Sequence, residues 1–501
     1  MAQALAAFAR RPAGIALGLL LLALLLRTGT LGNPLHGFDE QFYLLVGDRM
    51  VQAHALPFVD IFDRKPLGLF LIAAAACLGP GDPLIPFQLL ALAAATGTAL
   101  LIHAMIRRGA GVRAAWGGAA VYLAWLAFLE NDGAQAQVFM NAFMGVAGWL
   151  TARSLAEPRS SAAHATVAML AAGLALQIKP SCVFEAAFFG LALLWNARRD
   201  GARAGRLRGL ALLWIAAGLL PTLAALAVYA ALGQGHAFVF AQFVSPLAKL
   251  PDPAGVTRVG LLQIAAILAL PAIVAGLAPR AATPQARTQR RFVYAWLAAS
   301  LLGLAAWGVF TSPQYAAGAL LPLAVAAGYG FESARARWFP PLVALLGLAA
   351  SEIVTFEVRR ARGGPVEAAL LARAAQPRRG GCLFVYDGPP ALYRLTHSCL
   401  LSHYVFPGHL NMANEASARS LGVDPLAEIR RILAQHPETI VDAWPGYRLG
   451  NCATHAVLAA ALARDYRLEF ALTLPHGNRK LVYRRTDALL PLNNGRAMIR
   501  P

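Results

Sequence analysis

Clusters of arginine recur along this sequence between long apolar stretches, and that alternation constrains the fold more than any other feature. The clusters are Arg107, Arg108 and Arg113; Arg198, Arg199, Arg203, Arg206 and Arg208; Arg280, Arg287, Arg290 and Arg291; and Arg335 with Arg337. Arg10 and Arg11 precede the first apolar run. Short loops rich in Arg and Lys mark the cytoplasmic side of a membrane. Placing every cluster inside leaves about eleven apolar segments, each roughly the twenty residues that cross a bilayer, with some short or tilted. They fall near 13–31, 84–106, 114–129, 138–152, 164–178, 181–197, 209–232, 259–278, 292–310, 316–332 and 339–356.

Composition supports a lipid-embedded chain, with 58% hydrophobic and only 14% charged residues in 501. A net charge of +19 would suit a nucleic-acid partner only if it were gathered on one soluble face. It is dispersed among loops instead, so no nucleic acid is expected. No small-residue cleavage site of the A-x-A kind follows the first apolar run before "LGNPLHG", so that run reads as an uncleaved span. The amino terminus is then cytoplasmic and the carboxyl end lies outside. The Ala- and Arg-rich composition suggests a bacterial chain, which makes this the inner membrane and the outer face periplasmic.

One apolar piece, Leu67 to Leu78, is left out of the span count, because letting it cross would put Arg107 and Arg108 outside. It is short for a span and reads as an interfacial helix within a long first outer loop, residues 32–83. The chain divides into a transmembrane domain, residues 1–356, and a soluble tail, residues 357–501. In the tail "CLFVYD" and "TIVDAW" read as strands, "DPLAEIRRILAQHP" and "ATHAVLAAALARDY" as amphipathic helices, and "RLEFALTL" and "KLVYRR" as closing strands, a small α/β unit. The tail holds Cys382, Cys399 and Cys452, enough for one disulfide but not a reason to require it, with the pair left open. It has no glycine-rich phosphate loop and no zinc spacing.

The first loop carries the candidate chemistry. In "HGFDEQFYLLVGDRM" two adjacent carboxylates, Asp39 and Glu40, stand where the chain leaves the first span. Phe42, Leu45, Val46 and Met50 follow at helical spacing, so the segment can lie on the membrane with that face in lipid and with Asp39, Glu40, Tyr43 and Gly47 turned to water or protein. An N-cap role would explain Asp39 alone. It does not explain "PFVDIFDRKPLG", which brings Asp60, Asp63, Arg64 and Lys65 into the same loop. A carboxylate at this depth can serve as general base toward a hydroxyl, while Arg or Lys holds a phosphate leaving group. Those are the needs of sugar transfer from a lipid phosphate.

The order "FDE..Y......R......P.VD.FD.KP" resembles the first outer loop of GT-C fold integral-membrane glycosyltransferases, specifically the family 39/83-like group of protein O-mannosyltransferases and lipid A aminoarabinose transferases. "LALQIKPSCVF" resembles that group's Lys-Pro turn and "TSPQYAAGALLPLAV" its Tyr-containing outer turn. The resemblance implies an inverting transferase that moves a sugar from a polyprenyl-phosphate donor to a lipid, glycan or protein acceptor. Asp39 would be the base and Glu40 would orient base or acceptor. Lys65, Arg64 and Lys179 would hold the donor phosphate, with Tyr43, Asp60, Asp63, Tyr315 and His236 near the substrates. Members like the aminoarabinose transferases have an acidic residue directly before the Lys-Pro, where this chain has Arg64 and moves the carboxylate to Asp63, so a divalent metal is not carried over and no other cofactor is implied. Two other classes stay open: a transporter or flippase of a lipid-linked glycan, which should place its charges at mid-membrane on broken helices, and a non-catalytic membrane scaffold.

Overall fold

The computed structural model describes residues 11–156, 162–336, 338–378 and 380–486, so Arg10 and Arg337 lie outside the described residues. The described residues are mostly helical, with one small sheet, and they group into two compact units. Unit 1 comprises residues up to His54, Lys65–Gln242 and Asp252–Val358. Unit 2 comprises Ala55–Arg64, Phe243–Pro251 and the chain from Arg359.

Eleven apolar helices in unit 1 coincide with the expected spans. They are α1 (Pro12–Leu25), then, after two further helices, α4 (Leu84–Arg107), α5 (Val112–Phe128), α6 (Ala136–Ala156), α7 (Ala162–Leu176), α8 (Val183–Arg199), α9 (Ala204–Ala231), α10 (Ala254–Gly276), α11 (Pro284–Trp307), α12 (Ala317–Gly330) and α13 (Phe339–Arg362). Five described helical stretches are long and apolar enough to cross a membrane by length and composition alone: α4, α8 with the turn before it, α9, α10, and α13 with the helix after it. α1 stops at Leu25, six residues short of the expected end, because Arg27 turns into the protein instead of continuing the helix.

The turns between these helices sort to two ends. At one end Arg27 donates to the carbonyls of Asn131 (3.0 Å) and Gly133 (3.2 Å), and the Lys179 ammonium sits 4.0 Å from the centre of the Tyr315 ring. At the other end the Gly111 amide donates to the Glu332 carboxylate at 2.6 Å, and Arg290 donates to the Pro279 carbonyl. The arginine clusters belong to this second end, as alternating spans require.

The first loop contributes α2 (Phe38–Gln52) and α3 (Leu67–Ala76). At ten residues α3 is about 15 Å long, half a hydrocarbon core. The expectation that α2 lies with one face in lipid is overturned. Every residue from Glu40 to Gly47 is buried, because α3 packs across the helix. A Cβ on Gly47 would meet the backbone of Ala73 and Ala74 at 2.6 Å, and the Phe70 ring lies edge-on to both Phe42 and Tyr43. Asp39 is not the N-cap either; Gly37 occupies that position and Asp39 lies in the first turn.

Unit 2 contains the expected α/β pattern. Strands β1 (Leu383–Val385), β2 (Thr439–Trp444), β3 (Tyr466–Thr473) and β4 (Arg479–Arg485) form one sheet in the order β1-β2-β4-β3. β1 and β2 are parallel, with Leu383 opposite Thr439, and the other pairs are antiparallel. The helix Pro425–Ala434 is capped by Asp424, whose carboxylate accepts from the amides of Leu426 and Ala427, and Asn451 caps the helix Cys452–Asp465 in the same way. Cys382 and Cys399 form the disulfide and Cys452 is free and exposed.

Candidate functional site

Glu40 and Asp39 are neighbours with different surroundings. Successive helical residues point about 100° apart, so one side of the first turn of α2 faces the bundle and the next faces away from it. Glu40 is 1% exposed, and its two oxygens are occupied by the Gln88 side-chain amide and the Ala134 backbone amide, both at 2.8 Å. Gln88 in turn accepts from the Gly32 amide at 2.8 Å. A Cβ on Gly133 would fall 2.2 Å from the Glu40 carboxylate, so only glycine lets this turn close over it. Glu40 therefore ties α2 to α4 and to the turn before α6.

Next to it, His36 Nε2 lies 3.1 Å from Asp132 Oδ1, with both side chains buried. Burial alone would raise the Asp132 pKa, but His36 and, behind it, Arg27 override that and hold it below the ordinary aspartate range. Arg27, His36, Glu40, Gln88 and Asp132 thus form a buried polar frame under the start of α2.

Asp39 is only partly buried. Asp39 and Lys65 are the two charged side chains that act most strongly on Lys179. Lys179, 5% exposed, is the N-cap residue of the turn Pro180–Cys182. Its pKa falls well below that of an ordinary lysine, first through burial and then through repulsion from Lys65, with Asp39 opposing. An anion placed between the two lysines would relieve both effects. The approach of α3 to this turn depends on Gly68, whose Cβ would lie 2.7 Å from the Gln177 carbonyl. Tyrosines back both cations, the Tyr43 ring 5.4 Å from the Lys65 ammonium and Tyr315 behind Lys179. His236, on the short helix Gly235–Val239, is exposed.

Asp60, Asp63 and Arg64 belong to unit 2. The Arg64 guanidinium pairs with both Glu415 oxygens at 2.7 Å and also donates to Ser245 Oγ (2.7 Å) and the Ser420 carbonyl (3.0 Å). Four of its five donors are spent inside the unit. Lys249 adds a second cation 3.3 Å from Glu415. Asp60 is exposed and accepts from the Leu56 amide at 2.6 Å, closing the turn, while Asp63 is buried. Among the described residues no group of three or more His, Cys, Asp or Glu is arranged to hold a metal ion.

The structure is similar to that of ArnT from Cupriavidus metallidurans bound to undecaprenyl phosphate, with a TM-score of 0.65 and 14% identity over 96% of this chain and 100% of that one. Against the apo state of the same protein the TM-score is 0.63 at 14% identity, over 96% and 99%. The chain has the GT-C fold. No family model matches the sequence, and no curated protein matches it significantly.

Within this GT-C fold, sequence reading passed over Arg27, His36, Asp132 and Glu185. Arg27 looked like the tail of an apolar run, and His36 and Asp132 meet across 96 positions. Glu185 did carry a signal, a carboxylate in an otherwise apolar span. It is buried, accepts from Trp296 Nε1 at 3.0 Å and from Ser300, and lines a cavity of about 20 Å³ shared with Ser181 and Tyr315, room for about one water molecule.

Proposed function

We propose that this chain is an inverting glycosyltransferase that takes a sugar from a polyprenyl-phosphate donor and delivers it to a hydroxyl acceptor on a lipid, glycan or protein. The observation that carries the reading is the convergence of Asp39, Lys65 and the desolvated Lys179 at one end of the bundle. The GT-C fold supports it, as does the undecaprenyl phosphate bound to the similar ArnT structure.

In the reaction Asp39 accepts the proton of the acceptor hydroxyl as its oxygen forms a bond to the anomeric carbon. The bond from that carbon to the phosphate oxygen breaks on the opposite face, and polyprenyl phosphate leaves as a monoester. Lys65 and Lys179 offset the charge that grows on the leaving phosphate. Tyr43 and Tyr315 fix the two ammonium groups through their ring faces. Glu40 and the Arg27–His36–Asp132 frame keep the first turn of α2 in place, which holds Asp39 at the reacting carbon. His236, exposed, is assigned an acceptor-side role. With the arginine-rich end of the bundle in the cytoplasm, this site faces the periplasm of a bacterial inner membrane, together with the carboxyl-terminal residues.

The test uses purified protein in lipid and a panel of radiolabelled polyprenyl-phosphate sugars. Release of polyprenyl phosphate, coupled to a product of inverted anomeric configuration, is the expected result. Retention of configuration would sink the single-displacement mechanism, and failure to consume any donor of the panel would count against the reading as a whole.

A further inference from the structure

At the arginine-rich end of unit 1, α8, α9 and α11 line an open groove of about 900 Å³. Its walls are mostly apolar and include Phe188, Leu191, Trp195 and Ala211, while its rim carries Arg198, Arg199, Arg208 and Arg291. Arg199 donates to Asn196 Oδ1 at 3.0 Å and stands 4.0 Å from Asp200. Among the described residues Arg198, Arg208 and Arg291 have no side-chain acceptor. Three cations converging without a carboxylate on a hydrocarbon-lined space describe a receptor for a molecule with an anionic head and apolar chains.

We propose that this groove binds an anionic phospholipid, its phosphate held by Arg198, Arg208 and Arg291 and its acyl chains lying along Leu191 and Trp195. The volume lies in the range of well-formed ligand sites. Both of those wall residues are strongly exposed, Leu191 at 67% and Trp195 at 72%, so the groove opens sideways toward the lipid phase through which such a ligand would arrive. A polyprenyl-phosphate donor is not the occupant. From Val183, next to the Lys179 turn, to Arg198 the helix climbs roughly 22 Å, which removes this phosphate position from Asp39 by most of a bilayer.

The test is native mass spectrometry of the delipidated protein with phosphatidylglycerol, phosphatidylcholine or polyprenyl phosphate added. One phosphatidylglycerol should bind at least about tenfold more tightly than phosphatidylcholine, and the preference should disappear in the triple variant Arg198→Gln, Arg208→Gln, Arg291→Gln. Arg203→Gln with Arg206→Gln, which removes two exposed arginines of the same turn that do not line the groove, should bind as wild type. Ala211→Trp keeps all the charge and fills the apolar wall; it too should abolish binding and guards against a triple variant that does not fold. Equal loss in the Arg203/Arg206 control, equal binding of phosphatidylcholine, retention in Ala211→Trp, or displacement of phosphatidylglycerol by equimolar polyprenyl phosphate would each overturn the proposal.

Discussion

Two charged pairs in the first loop, Asp39 with Glu40 and Arg64 with Lys65, look interchangeable in the sequence and are treated differently by the fold. In each pair one member is consumed by structure. Glu40 is closed over by Gln88 and Ala134, and Arg64 is clamped by Glu415. The other member stays with the bundle: Asp39 is only partly buried, and the Lys65 ammonium stands 5.4 Å from the centre of the Tyr43 ring. The separation has two physical origins. For the carboxylates it is the 100° turn of the helix; for the cations it is the unit boundary, which passes between residues 64 and 65. Adjacent charges of one sign are therefore poor evidence of shared work. What distinguishes them is which neighbours the fold brings to each.

That contrast can be broken most severely at Lys65 and Lys179. Replacing both Lys65 and Lys179 by Met should lower kcat/KM by about 10³-fold or more, since truncating a charged partner costs about 2–5 kcal/mol each. The melting temperature should hold or rise, because Met relieves the burial of Lys179. A double variant that turned over donor normally would remove the phosphate-binding assignment.

A stability effect without an equivalent catalytic one is expected at the closed cation. Arg64→Ala leaves Lys249 and the Ser420 hydroxyl on Glu415 and should destabilise unit 2 by about 3 kcal/mol, seen as earlier proteolysis or melting. Residual folded protein should retain its donor affinity. Lost affinity in folded Arg64→Ala would return Arg64 to the phosphate.

The smallest expected effect concerns the frame beneath α2. Asp132 is held below its unfolded pKa, so its contribution is complete above about pH 4 and drains away as pH falls through the folded value. Melting curves from pH 7 down to pH 3 should therefore show an acid loss that Asp132→Asn lacks. Identical acid limbs in the two proteins would mean that the His36–Asp132 pair adds nothing.

Much of the architecture was legible because arginine clusters punctuate the spans and because the strands of unit 2 carry strong apolar cores such as "TIVDAW". The surroundings of α2 were not. Phe42, Leu45 and Val46 gave a helical stripe, but the opposite face holds Tyr43, Leu44 and Gly47, and sequence does not say that α3 will fold back over them. Nor does periodicity reveal that "PFVDIFDR" leaves the loop for another unit, where the Phe62 ring lies tilted against Tyr404 and edge-on to His409 and its amide donates to the His403 carbonyl at 2.9 Å. The partners of Glu40 lie 48 and 94 positions away, and one of them is a backbone amide, which has no sequence signature at all.

The most direct measurement compares Asp39→Asn with Glu40→Gln in one preparation, recording donor turnover and unfolding temperature for both. The open carboxylate as base predicts that Asp39→Asn loses on the order of 10³-fold in kcat, binds donor and melts like wild type. Glu40→Gln, which leaves one of its two donors unmet, should melt earlier by the equivalent of about 1–3 kcal/mol while its folded fraction still turns over donor. Full activity in Asp39→Asn, or a dead but thermally unchanged Glu40→Gln, would contradict the assignment of chemistry to one neighbour and structure to the other.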